Sequence, residues 1–216
     1  MQTDCPPATG IGYAISESFA QSGISHLVII QRRQEVLDEA KQKINAKYPD
    51  VKITTYAASV TDYNRVTSIL KEVGAIDVLV PNAASGHDLV PAKDIPVDAV
   101  ESTFATNVFS AWHLISQYLA LSSDKPKTVV YVSSAAGQIA QPANSAYGAS
   151  KAAANQMIQQ FANDAATAGT GDLFQTFHPG IIYTGLSSAV VPKEAFDWED
   201  CESCSTTDRS EIENVC

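Results

Sequence analysis

Between Gly10 and Val191 short apolar runs of strand character alternate with longer, mixed stretches of helical character. The pattern predicts helix over Ile11–Gln21, closing on Gly23, then a strand at Leu27–Ile30 and a helix over Glu35–Lys47. A strand over Val51–Ala57, a helix over Tyr63–Val73 and a strand over Ile76–Val80 follow. A long helix is expected near Val97–Leu121, then a β-branched strand at Thr128–Val132, a helix over Ala146–Ala168 and a last strand at Leu173–Phe177. Helix and strand in this order imply a parallel sheet covered on both faces, an α/β chain of three layers. The sequence holds no internal repeat and no low-complexity segment.

Candidate chemistry concentrates around one of these helices. Tyr147 and Lys151 stand four apart, which places a phenol and an ammonium on the same helical face. A free phenol holds its proton to a pKa of about 10, and a neighbouring cation favours the phenolate, so the pair suits proton transfer near neutral pH. Thirteen residues earlier Ser134 follows the strand Thr128–Val132, at the carboxyl end where open α/β sheets bind ligands. A solvated helix would also explain the tyrosine and lysine, and a turn cap would explain the serine. Their combination points to catalysis.

Two other segments suggest a dinucleotide. Gly10-Ile11-Gly12 opens the first helix, where unpaired N–H groups and the positive end of the dipole suit a pyrophosphate. After the next strand a carboxylate would accept a ribose 2′-hydroxyl, but the residues are Gln31-Arg32-Arg33. Two guanidiniums without an acid favour a 2′-phosphate, hence NADP, with NADPH preferred over NADH. The plainer alternative is that both arginines begin a solvated helix.

Ser134 with Tyr147 and Lys151 resembles the active site of the short-chain dehydrogenase/reductase family, a serine and a Y-x-x-x-K run joined by a helix asparagine. Asn107 matches that asparagine, Pro81-Asn82-Ala83-Ala84 resembles the family's N-N-A-G segment, and Pro179-Gly180-Ile181-Ile182-Tyr183-Thr184 resembles its P-G-x-x-x-T segment. The likeness runs from about residue 8 to 190, in the family's order and spacing. It implies a Rossmann-like, doubly wound fold and hydride transfer between a nicotinamide and a carbonyl or secondary alcohol. By resemblance, Tyr147 exchanges the oxygen's proton, Lys151 lowers the phenol pKa and holds the nicotinamide ribose, Ser134 hydrogen-bonds the substrate, and Asn107 positions a water leading to Lys151. Gly10, Ile11, Gly12, Arg32, Arg33, Ser59, Val60, Asn82, Tyr147, Lys151, Pro179, Gly180, Ile182 and Thr184 are the expected cofactor contacts. A homodimer or homotetramer through the two long helices is expected on the same ground.

Both ends depart from the family pattern. Met1–Cys5 would supply a degenerate first strand containing Asp4, Pro6 replaces the first glycine of the phosphate loop, and Ser59 replaces the aspartate that usually faces the adenine. The last strand expected after Thr184 is missing. These departures suggest a shortened version of a longer reductase. They also keep open a catalytically impaired relative that binds cofactor or pairs with a partner.

Composition narrows the remaining choices. At 216 residues and 45% hydrophobic the chain suits one sizeable core, read here as one domain over 1–191 and an acidic, disordered tail over 192–216. The net charge of −10 gives no basic stripe for nucleic acid, and no apolar run spans a membrane, so a cytoplasmic protein acting on a small molecule is expected. Cys201 and Cys204 form a C-x-x-C without a second ligand pair, and the four histidines do not cluster, so no metal is expected.

Overall fold

The computed structural model describes residues 10–180, 182 and 184–188. The degenerate first strand, the missing last strand and the acidic tail with its cysteine pair lie outside the described residues. The described chain forms two compact units. One gathers residues 10–29, 34–55 and those from 180 on; the other comprises Ile30–Arg33 and Tyr56–Pro179.

In the first unit, Gly10 has φ 118°, a conformation that suits glycine, and α1 (Ile11–Gln21) starts directly after it. The unit takes most of strands β1 (His26–Gln31) and β2 (Lys52–Ala57), which pair in a two-stranded sheet with α2 (Gln34–Lys47) between them in sequence. Apolar residues spaced along α1, α2 and β2 meet in a small core of Ala20, Ile44, Val51 and Ile53, with Tyr13, Leu27 and Ile29 against it. Each wholly buried aliphatic chain contributes about 2 kcal/mol. A Lys47–Glu17 ion pair of 2.6 Å joins α2 to α1 at the surface.

The second unit carries the larger core. Helix α3 (Tyr63–Val73) starts at Asp62, whose carboxylate accepts from Arg65 N at 3.0 Å. Strands β3 (Val78–Leu79), β4 (Thr128–Val132) and β5 (Leu173–Phe177) form a parallel sheet in that order, in register Val78↔Thr128 and Thr128↔Leu173. The expected strand over 76–80 shortens to two residues. Pairing does extend past it, because Val132 N donates to Pro81 O, but proline has no N–H to return. Val129 and Tyr131 of β4 pack with Val108, Ala111, Ile115, Tyr118, Ala154, Met157 and Ile158.

The single helix expected over 97–121 divides into α4 (Val97–Phe104), a π turn (Ala105–Phe109) and α5 (Ser110–Leu119). The wide turn is centred on Asn107, whose amide bonds outside the helix, and such π turns recur at functional sites. Helix α6 (Ser145–Ala168) runs 24 residues and ends where Gly169 turns left-handed at φ 65°. A short α7 (Gly185–Ser188) belongs to the first unit. Among the described residues no helix is long and apolar enough to cross a membrane.

Candidate active site

Ser134 leaves the carboxyl end of β4 with extended backbone, φ −155° and ψ 150°. Its Oγ accepts from Ala136 N at 3.2 Å, capping a 3₁₀ turn over Ala135–Gly137 that lies on α6. The serine is a turn cap, and its hydroxyl also hydrogen-bonds with Tyr147 on α6. Tyr147 sits in the first turn of α6, half-buried, and its backbone N donates to His87 Nε2 at 3.3 Å. His87 thus caps a helix whose Asn144 offers no side-chain cap.

Burial raises the Tyr147 pKa, and a hydrogen bond with Ser134 opposes the rise. Lys151, expected to draw this value down, is hydrogen-bonded elsewhere. Lys151 is 1% exposed, and its Nζ donates to Val132 O at 2.8 Å and to Tyr131 Oη at 3.2 Å. The ammonium thus lies over the Tyr131 ring at 4.8 Å from its centroid, against 5.8 Å for Tyr147. Burial lowers the Lys151 pKa to about 8.

That shift fixes a pH response. Between about pH 8 and 10.5 the unfolded chain holds a proton on Lys151 that the folded chain has lost, so stability rises with pH in that window. Burial raises the pKa of Tyr131 and Tyr147, which reverses the sign above about pH 10, where unfolded tyrosines ionise first. Stability measured by urea unfolding should gain on the order of 2 kcal/mol from pH 8 to 10. The same gain in Lys151→Met would assign it to other groups.

Asn107, wholly buried, closes the constellation from the π turn. Its Oδ1 accepts from Ser85 N at 2.8 Å, and its Nδ2 donates to Ser85 O at 2.9 Å and Ser150 Oγ at 2.8 Å. Ser150 Oγ donates in turn to Tyr147 O at 2.7 Å. The asparagine therefore braces the loop after β3 against α6. Its main-chain carbonyl accepts from Tyr131 Oη at 3.0 Å.

Asn107, Ser134, Tyr147 and Lys151 all lie in the second unit, with Asn82 and Pro179 after the carboxyl ends of β3 and β5. Arg32 and Arg33 are exposed just past β1. Ser59 Oγ and Thr61 Oγ1, after β2, are 2.8 Å apart, and Val60 is partly buried. The first unit holds Gly10, Ile11 and Gly12, and also Gly180, Ile182 and Thr184. Ile182 is buried, and Thr184 N donates to Ser187 Oγ at 2.7 Å.

The glycine turn fits a phosphate. Gly10 O accepts from Tyr13 N and Ala14 N, no side chain caps the helix, and space is open where a Gly10 Cβ would stand. Among the described residues no side chain caps the earlier N–H groups of α1, the kind of donors a phosphate accepts from. Three residues escaped the sequence reading, namely Tyr131, Ser150 and His87. A buried tyrosine hydroxyl in an otherwise aliphatic strand was the available cue for Tyr131, since such groups need partners. Among the described residues no cluster of His, Cys, Asp or Glu could hold a metal.

The short chain dehydrogenase family model matches residues 7–195. Short chain dehydrogenases/reductases of Aspergillus aculeatus and Claviceps purpurea are each 39% identical to this chain, over 193 and 197 residues. Those alignments cover 89% and 90% of this chain but 67% and 66% of the relatives, so the chain spans about two thirds of their length. A short-chain dehydrogenase of Streptomyces avermitilis superposes with TM-score 0.71 at 28% identity, covering 83% of this chain and 64% of that one. An alcohol dehydrogenase of Thermococcus sibiricus, in complex with 5-hydroxy-NADP, shares the fold at TM-score 0.78 and 19% identity, covering 91% and 83%. The chain belongs to the short-chain dehydrogenase family, a family of NAD(P)-dependent oxidoreductases.

Proposed function

We propose that this chain is an NADP(H)-dependent oxidoreductase acting on a carbonyl or secondary alcohol. The observation that carries this reading is the grouping of Ser134, Tyr147 and buried Lys151 beyond the carboxyl end of β4. When bound, the nicotinamide supplies or accepts the hydride. Tyr147 gives the substrate oxygen its proton in reduction and takes it back in oxidation. Ser134 donates a hydrogen bond to that oxygen, and Lys151 provides the positive charge that stabilises the phenolate left after proton donation. Asn107 holds the loop after β3 against α6, and so keeps this geometry while substrate binds.

NADP(H) is favoured over NAD(H) by Arg32 and Arg33, both exposed and without an ion pair among the described residues. Their forked donors match a phosphate. The test is thermal unfolding of the purified chain alone, with NADPH and with NADH. A ligand at one hundred times its Kd stabilises by about 2.7 kcal/mol, so NADPH should raise the midpoint by several degrees and NADH by less. Arg32→Ala with Arg33→Ala should weaken NADPH roughly tenfold or more and leave NADH unchanged. Equal shifts by the two nucleotides would defeat the NADP assignment, and no shift by either would defeat cofactor use.

A further inference from the structure

We propose that Tyr131 is a positioning residue for the reaction, its hydroxyl joining Lys151 Nζ directly to the main-chain carbonyl of Asn107. The inference rests on the oxidoreductase reading above. Resemblance assigns a water to the path between Asn107 and Lys151; here a side chain spans it, at 3.0 Å to the carbonyl and 3.2 Å to the ammonium.

The direction of each bond follows from what the groups can do. A carbonyl only accepts, so the single phenolic proton goes to Asn107 O, and the oxygen's lone pairs turn toward Lys151. An ammonium has three donors. Two are spent, on Tyr131 Oη and Val132 O, which points the third away from β4. Tyr131 thereby fixes where the lysine's remaining donor points and supplies an acceptor that favours the charged amine. No proton passes along this link, because a carbonyl cannot take one.

Neighbouring groups leave this role to Tyr131. From β4 the titratable group facing Lys151 is Tyr131 itself, and on α6 it is Tyr147; Asn107 and Ser150 carry no charge. The Tyr131 ring is 1% exposed in the main core, so Tyr131→Phe removes one hydroxyl and keeps the packing.

The decisive experiment pairs kinetics with spectroscopy. In Tyr131→Phe, kcat for carbonyl reduction should fall about tenfold with KM unchanged, and the alkaline limb of the kcat profile should move down by roughly half to one pH unit as the amine loses an acceptor. A purely structural tyrosine would lower the unfolding midpoint and leave that limb in place, which would overturn the proposal. The unmodified protein gives a second readout that survives poor folding of the variant. With tyrosines labelled at 13Cζ, the Tyr131 resonance should inflect near pH 8 as Lys151 titrates, and the inflection should vanish in Lys151→Met. A Tyr131 signal flat across that range would overturn the link whether or not turnover is found. An inflecting signal without turnover on any carbonyl would uphold the link and place the failure in the functional reading.

Discussion

Tyr147→Phe should reduce turnover by about a thousandfold or more while leaving NADPH affinity within about twofold of the parent, because general acid–base groups contribute roughly 10²–10⁴-fold. The substitution removes only an oxygen. The ring keeps its half-buried place in the first turn of α6, and the contact to His87 uses the backbone N, which phenylalanine retains. The Ser150–Tyr147 bond also uses a backbone atom, the carbonyl, so the brace from Asn107 to α6 survives. What disappears is the phenol oxygen that hydrogen-bonds with Ser134, on a ring whose centroid lies 5.8 Å from Lys151 Nζ. Equilibrium nucleotide binding and steady-state reduction of a ketone panel, measured on the same preparations, separate chemistry from folding. A variant that binds NADPH and still turns over at a tenth of the parental rate would remove Tyr147 from the proton step.

Much of this site could be read from the chain because its residues obey local rules. Tyr147 and Lys151 share a helical face by spacing alone, and Ser134 falls at a strand end because Thr128–Val132 is an unbroken β-branched and aromatic run. What stayed hidden depends on groups distant in sequence. Lys151 points at Tyr131, 20 residues away, and its preference for that hydroxyl over Tyr147 is a matter of packing depth in β4. The π turn was equally hidden: Ala105–Phe109 has ordinary helical composition, and it widens where Asn107 meets Ser85 and Ser150, 22 and 43 positions off. The two-residue β3 followed from Pro81, a local signal outweighed by the apolar run before it.

Gly148→Ala should cost a few kcal/mol of stability and about a hundredfold in kcat/KM, although a glycine supplies no side chain to the reaction. A Cβ at Gly148 would stand 2.8 Å from Ala136 O, and a Cβ at Gly137 would stand 2.9 Å from Lys151 C and 3.0 Å from Ala152 N. The nearest obstacle in each case is a backbone atom, which cannot rotate aside, so the methyl must push the 3₁₀ turn away from α6. Overpacking of this kind costs about 1–3 kcal/mol or more. The functional loss follows from which pieces separate. The turn is capped by Ser134 and the helix carries Tyr147 and Lys151, so one displacement opens the distance between the hydroxyl that holds the substrate oxygen and the phenol that protonates it. Misplacement by about 1 Å is enough for a hundredfold loss. Gly137→Ala attacks the same seam from the other side, so it should reproduce the defect, and the double variant should lose less than the sum of the two. Thermal unfolding and kcat/KM on all three proteins check this. A Gly148→Ala enzyme destabilised by several kcal/mol but with parental kcat/KM would show that the seam supports the fold and does not set the Ser134–Tyr147 geometry.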